Sequence, residues 1–378
     1  MTDIERVALL GPAPPDRGGI ARETALLARE LAASTAVAYF TFSRPYPRWL
    51  DPRRFDSAAG DPAVPVGVPS LDYRSPRSWR ATARRIVSFE PDVLVVPWWT
   101  SFWGVPLRSV FRAVHRASPN VLRTLLCHNV EDHESGPVRR FLALGAFFSA
   151  DAFVVHAETD RRRLERRVPG RPVAVLPHPV VSSPPPDRER ARRDLGISTP
   201  LVLFLGLVRR YKGVDLLLDA APRIVRETNA RIAVVGEVFS DARPLEERWK
   251  SSPVRESILW RDEYVTEEEM ARWLAACDVV VLPYRYVSGS GIAARAIAAR
   301  RPMAAASVGG LSETVREGVT GELFDAGDPG ALADAVRRIV DRGISAYEVG
   351  LTQAAEESSW AHYVERLLTF FSGLGSAR

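Results

Sequence analysis

Lysine is nearly absent from this chain: of 51 basic residues, 49 are arginine, and only Lys212 and Lys250 are lysine. Where arginine supplies every generic positive charge, a retained lysine is a candidate for a specific chemical task. Lys212 stands in Phe204-Leu205-Gly206-Leu207-Val208-Arg209-Arg210-Tyr211-Lys212-Gly213, where an apolar strand breaks at glycine and a helix begins. In an α/β protein that junction lies at the carboxyl edge of the sheet, where ligands bind and helix amino termini favour anions. The alternative, a surface lysine, fits Lys250 better.

Two glycine loops offer related chemistry. The first strand runs into Gly11-Pro12-Ala13-Pro14-Pro15-Asp16-Arg17-Gly18-Gly19-Ile20 ahead of a helix through Leu31. Paired glycines such as Gly18 and Gly19 let the backbone approach a ligand and aim amides at an anion. A purely structural turn is the other reading, and the dinucleotide pattern Gly-x-Gly-x-x-Gly is absent. Ser288-Gly289-Ser290-Gly291 follows the buried strand Val279-Val280-Val281-Leu282-Pro283 and opens an alanine-rich helix at Ile292. Small residues there leave room for a phosphate over the helix start, with two hydroxyls as added donors, whereas a flexible linker would need no helix.

Histidine is scarce. His128 follows an apolar strand in Cys127-His128-Asn129-Val130-Glu131-Asp132-His133-Glu134. Cys127, His128, His133 and Glu134 lack the spacing of known zinc sites, so no metal site is expected. His156 and His178 also follow strands. Trp98, Trp99, Phe102 and Trp103 cluster after another strand and either stack on sugar rings or lipid chains or fill a core.

The elements that must position these groups repeat one plan in both halves: short apolar strands end in turns and alternate with amphipathic helical stretches, as in parallel α/β sheets. Strands are expected near 6–11, 36–42, 93–97, 121–127, 152–156 and 173–176, then near 201–206, 231–236, 257–260, 279–283, 302–306 and 322–324. The prolines of Val181-Ser182-Ser183-Pro184-Pro185-Pro186-Asp187 suit an interdomain linker. Domains are therefore expected at 1–183 and 184–358, with 359–378 forming a terminal amphipathic helix that packs back on the first domain. The Pro- and Arg-rich stretch from Ser43 to Arg77 reads as one long irregular loop.

The first 186 residues hold 25 arginines against 18 acids, and the remainder is slightly acidic. The basic half is suited to an anionic membrane surface or a phosphate-bearing substrate. Scattered arginines and no recognised binding module exclude nucleic acid. No apolar run reaches membrane-span length, no signal-peptide plan opens the chain, and two distant cysteines, Cys127 and Cys277, suit a reducing cytoplasm.

The opening Gly-Pro-x-Pro-Pro-x-x-Gly-Gly-Ile, the Arg209–Gly213 segment, Val234-Val235-Gly236-Glu237, Val308-Gly309-Gly310-Leu311-Ser312-Glu313-Thr314-Val315 and Gly318-Val319-Thr320-Gly321-Glu322-Leu323-Phe324 together resemble the retaining glycosyltransferases of family 4. The resemblance spans nearly the whole chain in order. It implies a GT-B fold, two Rossmann-like domains facing each other across a cleft, with a sugar nucleotide held mainly by the second. It implies that basic side chains and helix termini, rather than a divalent metal or another cofactor, neutralise the leaving diphosphate.

Carried onto this sequence, the resemblance assigns Arg209 and Lys212 to the diphosphate and His128 to the donor sugar. It places Gly236, Ser288, Gly289, Ser290, Gly291 and Ile292 in the nucleotide-sugar site and Tyr264 near the base. Members usually have two glutamates eight positions apart around the second glycine loop, one for the sugar and one for the ribose. Aligned by the loop glycines, those positions hold Ser288 and Ala296, and Ala296 has no side chain able to hold a ribose hydroxyl. Some members carry a Ser-Gly pair like Ser290-Gly291 instead.

The expected activity is transfer of a sugar from a nucleotide diphosphate to a hydroxyl acceptor with retention, on a cell-envelope or capsular glycan or a lipid-linked acceptor. The expected setting is the cytoplasm, at the inner face of the membrane where the acceptor is lipid-linked. The rival readings are a catalytically degenerate protein that binds a sugar nucleotide or a partner without transfer, and an epimerase on the same scaffold.

Overall fold

A computed structural model describes residues 4–14, 19–44, 67–130, 137–181 and 187–375. The chain divides into two compact units, Met1–Leu176 with Trp360–Arg378, and Pro177–Ser359.

The first unit is built on a seven-stranded parallel sheet: β1 (Arg6–Leu10), β2 (Ala36–Arg44), β3 (Val68–Asp72), β4 (Val93–Trp98), β5 (Leu122–Cys127), β6 (Ala152–Val155) and β7 (Val173–Val175). Its spatial order is β3-β2-β1-β4-β5-β6-β7. β4 and β5 are buried along their whole length, which is why they read as unbroken apolar runs rather than as alternation. Arg123 and Thr124 are the exceptions inside β5, and Arg123 is held by a bidentate pair to Asp151 at 2.6 and 2.8 Å. The terminal helix Trp360–Gly375 belongs to this unit and turns Leu367 and Phe371 into its interior.

The second unit carries β8 (Leu201–Leu205), β9 (Arg231–Val235), β10 (Ile258–Arg261), β11 (Val279–Leu282), β12 (Met303–Ala306) and β13 (Gly321–Phe324). All are parallel, in the order β10-β9-β8-β11-β12-β13. Each sheet reverses its winding once, between β1 and β4 and between β8 and β11. Those are the topological switch points beside which ligands bind in open α/β sheets, outside the carboxyl ends of the strands.

Two expectations change. The division falls at Leu176 rather than 183, because the Leu176 N–H still donates to Val155 in the first sheet whereas Val180 is bonded to Ser358 and bridged to Ser359. Residues 182–186, the proline stretch, lie outside the described residues. The supposed loop 43–77 contains β3, an edge strand whose Val-Pro-Ser-Leu-Asp sequence shows no alternation to betray it.

Candidate functional site

β8 ends at Gly206, and the chain then forms a short 3-10 helix, Arg210–Lys212, before the helix Val214–Thr228. Gly213 joins the two in the left-handed region, φ 67°, and a Cβ there would stand 1.9 Å from the Pro283 carbonyl oxygen. Only glycine fits, so the loop after β8 is pressed against the loop after β11. The Arg285 N–H donates to the Tyr211 carbonyl at 2.8 Å. The Tyr211 and Tyr286 rings stack at 5.2 Å. Both loops of the switch point are thus pinned to one another.

Lys212 sits between them. A Cβ placed on Gly206 would meet the Lys212 Nζ at 3.5 Å and the Ile292 Cδ1 at 3.4 Å, so strand end, ammonium and helix start converge. The ammonium lies 5.5 Å from the centre of the buried Tyr284 ring. Burial, with the Arg209 guanidinium adding to it, pulls its pKa down to about 8. No described carboxylate pairs with it. Lys250, by contrast, is exposed and paired with Glu246 and Glu247 at 3.3 and 3.2 Å.

The helix Gly291–Ala298 completes the site. Ser290 caps it, its Oγ accepting the Ala293 N–H at 3.2 Å. Helix geometry leaves the Gly291 and Ile292 N–H groups without an acceptor among the described residues, and the Ile292 side chain and the Lys212 ammonium both border Gly206. Adding a Cβ to Gly291 would meet nothing within 4 Å. A half-buried cation beside a helix start with two unbonded amides favours a multiply charged anion such as a phosphate.

Other expected site residues are engaged differently. Arg209 is paired with Asp241 at 3.0 Å and stacked 4.7 Å over Phe239, so its charge is already partly neutralised. Gly236 follows β9 with φ 146°, and a Cβ on it would lie 2.1 Å from the Gly206 carbonyl oxygen, so it serves the close approach of two strand ends. Ser288 and Ser290 are buried, Gly289 is half-buried, and Tyr264 is exposed after β10. The tyrosine trio 211, 284 and 286, Asp241 and Gly213 carry the site's geometry without having been singled out by sequence. The Tyr-Arg-Tyr run immediately after the buried Val279–Pro283 stretch was the available signal.

The glycosyl transferases group 1 family model matches residues 199–342, the body of this unit. The second unit is a group 1 glycosyltransferase domain. Curated relatives follow the same line. The D-inositol 3-phosphate glycosyltransferase 1 of Catenulispora acidiphila is 32% identical over 50% of this chain and 48% of its own. The D-inositol 3-phosphate glycosyltransferase of Nocardioides is 29% identical over 71% and 62%, and that of Acidothermus cellulolyticus 26% identical over 94% and 86%. The chain thus spans about half to nearly nine tenths of these relatives. Among solved structures, the sucrose-phosphate synthase of Thermosynechococcus elongatus superposes with TM-score 0.77 at 19% identity, covering 99% of this chain and 100% of that one. HepE of Anabaena, solved with UDP and glucose, superposes with TM-score 0.74 at 15% identity, covering 97% and 99%. Each unit has the Rossmann-like architecture, and the fold is GT-B.

Within the group 1 domain, the two positions that hold glutamates in the family pattern are both enclosed. Ser288 is 8% exposed, and Ala296 has no exposed surface at all. Ala296 packs into the core while its neighbour Arg295 points outward and forms a bidentate pair with Glu267 at 2.6 and 2.9 Å.

In the first unit, Gly19 opens the helix Gly19–Leu31, and Gly18 lies outside the described residues, as do His133 and Glu134. His128 is buried just past β5, its N–H donating to the Trp98 carbonyl at 2.8 Å. Its Nδ1 stands 3.7 Å from Glu23 and its ring 5.1 Å from that of His156. Cys127 faces the core, where burial drives its thiol pKa far up and removes it from ligand chemistry. Trp98 and Trp103 are core residues, Trp103 stacked on Phe42 at 4.2 Å.

Proposed function

We propose that this glycosyltransferase moves a sugar from a nucleotide diphosphate to a hydroxyl acceptor with retention, and that Lys212 grips the departing diphosphate. The observation that carries it is a lysine drawn inward at a topological switch point, with its pKa lowered and no described carboxylate beside it. A protein gains nothing from such a buried charge unless an anion arrives to pair with it. The Gly291 and Ile292 amides supply the remaining contacts, and Arg209, shared between Asp241 and the incoming phosphate, adds charge.

As the bond from the anomeric carbon to the phosphate oxygen breaks, its electron pair passes to the diphosphate. Lys212 and the helix start stabilise that growing charge, and the acceptor hydroxyl attacks from the same face, its proton passing to the departing phosphate oxygen as the new C–O bond forms. In this reading the cations replace a divalent metal in neutralising the leaving group.

UDP in a structural neighbour and inositol phosphate in the names of relatives make UDP-sugars and inositol phosphates the first donors and acceptors to assay. The basic first half supports a further reading of envelope glycans or lipid-linked acceptors at the cytoplasmic membrane surface. No described helix is long and apolar enough to cross a membrane.

A panel of sugar nucleotides, scored for nucleotide release with and without acceptor, tests the proposal. Acceptor-dependent release that disappears in Lys212→Ala supports it, and undiminished release by that variant refutes it. The second reading, donor binding without transfer, is favoured by Ser288 and the enclosed Ala296. It predicts saturable donor binding with no release from any acceptor.

A further inference from the structure

β5 and β6 are neighbours in register, Cys127 opposite Val155, so His128 and His156 leave the sheet side by side at its carboxyl edge. Each is the first residue past its strand, and both are buried. Glu23, on the second turn of the helix Gly19–Leu31, brings a carboxylate to the same point. One ligand atom from each of the three lies within 4.8 Å of the others.

We propose that Glu23, His128 and His156 form a binding site for a divalent transition-metal ion of the zinc class. Two imidazoles and one carboxylate are a donor set that zinc accepts. Bonds of about 2.0 to 2.1 Å in a tetrahedron put ligand atoms about 3.3 Å apart. The His128 Nδ1 and Glu23 Oε2, at 3.7 Å, already stand beyond hydrogen-bond length and near that edge. The widest gap closes through an adjustment of about an ångström or so, within reach of side-chain torsions.

The supporting contact is in place as well. The His156 Nδ1 is 2.9 Å from the Leu176 carbonyl oxygen just past β7, which can only accept, so Nδ1 carries the proton and Nε2 keeps the lone pair. A ligating imidazole is commonly fixed in this way by a carbonyl that orients the ring and raises its basicity. All three ligands belong to the first unit, and metal binding is measured without sugar nucleotide, so its test is independent of sugar transfer.

The test uses the full-length chain without any histidine tag, stripped with chelator and titrated with Zn²⁺ against a chromophoric competitor, with no sugar nucleotide present. One equivalent is expected to bind, and Co²⁺ in its place is expected to show the visible bands of a four- or five-coordinate ion. Glu23→Gln, His128→Gln and His156→Gln should each weaken binding by about tenfold or more. The exposed His115 and His362, changed to Gln, should leave it unaltered. Three variants on three separate elements guard against a folding defect in any one. No stoichiometric binding, or binding equally tight in all three variants, overturns the proposal.

Discussion

Replacing Lys212 with methionine should make the protein more stable and leave it unable to hold its donor. Methionine keeps the length and flexibility of the side chain and removes the ammonium that burial disfavours. The folded-state pKa of about 8 against a reference of 10.5 means that the folded environment opposes the charged form by about 3 kcal/mol at neutral pH. That figure is an upper bound on the gain, because methionine forgoes the contact with the Tyr284 ring.

The sign of the pH dependence follows from the same numbers. Between about pH 8 and 10.5 the unfolded chain holds a proton that the folded chain has released, so the Lys212 contribution rises with pH in that window and is flat below it. The methionine variant should lose that rise. Thermal unfolding of ligand-free protein, followed by a probe for the second unit, reads both effects. One kcal/mol corresponds to about 2 to 4 °C in a unit of this size, so a rise of up to about 10 °C is expected at pH 7. A lower midpoint, with the fold intact, would refute the claim that Lys212 is held at a cost in the absence of ligand. Unchanged donor affinity would refute its role as the anion grip.

Donor binding should weaken progressively above about pH 8, because the site must take up a proton to recharge Lys212, and calorimetry in two buffers of different ionisation enthalpy measures that uptake. Gly236→Ala forces a Cβ to within 2.1 Å of the Gly206 carbonyl oxygen at a φ that suits glycine alone, and should cost about 2 kcal/mol or more in denaturant titration. Ser290→Ala removes the cap of the helix Gly291–Ala298; a loss of about 1 kcal/mol and a weaker donor affinity are expected, measured by denaturant titration and by donor titration. Lys212→Arg keeps the charge yet should lower the thermal midpoint below wild type and reduce donor affinity.

Both sheets were legible in the sequence because parallel strands buried on both faces read as continuous apolar runs, as Val279–Leu282 and Leu201–Leu205 do. β3 was not, because an edge strand of Val-Pro-Ser-Leu-Asp carries neither an apolar run nor alternation. Lys212 and the Ser288–Ile292 loop were legible as a sequence pattern, since glycine after a strand marks the sheet edge whatever the tertiary contacts. The state of Arg209 was not, because Asp241 is 32 positions away and its approach depends on the turn after β9. His156 appeared only as one histidine after a strand; its place beside His128 comes from the register of β5 with β6, which local sequence does not encode.

The scarcity of lysine takes on a physical meaning at this point. Many arginines of this chain are spent on carbonyls and carboxylates that a planar fork can bridge: Arg301 spans the Leu274 and Ala275 carbonyls at 2.8 and 2.9 Å, and Arg188 joins Cys277 and Asp278. A guanidinium placed where Lys212 stands would remain charged with no described carboxylate to satisfy it, since it does not deprotonate in proteins. An ammonium has an escape: at pH 7 its burial penalty cannot exceed the cost of giving up the proton, about 5 kcal/mol from a reference of 10.5. The folded state sits below that ceiling, close enough that the charge is kept at neutral pH and relinquished by about pH 8. Lysine at this position is therefore the basic residue that can hold its charge for an anion at neutral pH at a bounded cost and release it at higher pH. This is the physical basis for the expected difference between Lys212→Met, which is stabilised but unable to bind, and Lys212→Arg, which is destabilised and binds poorly.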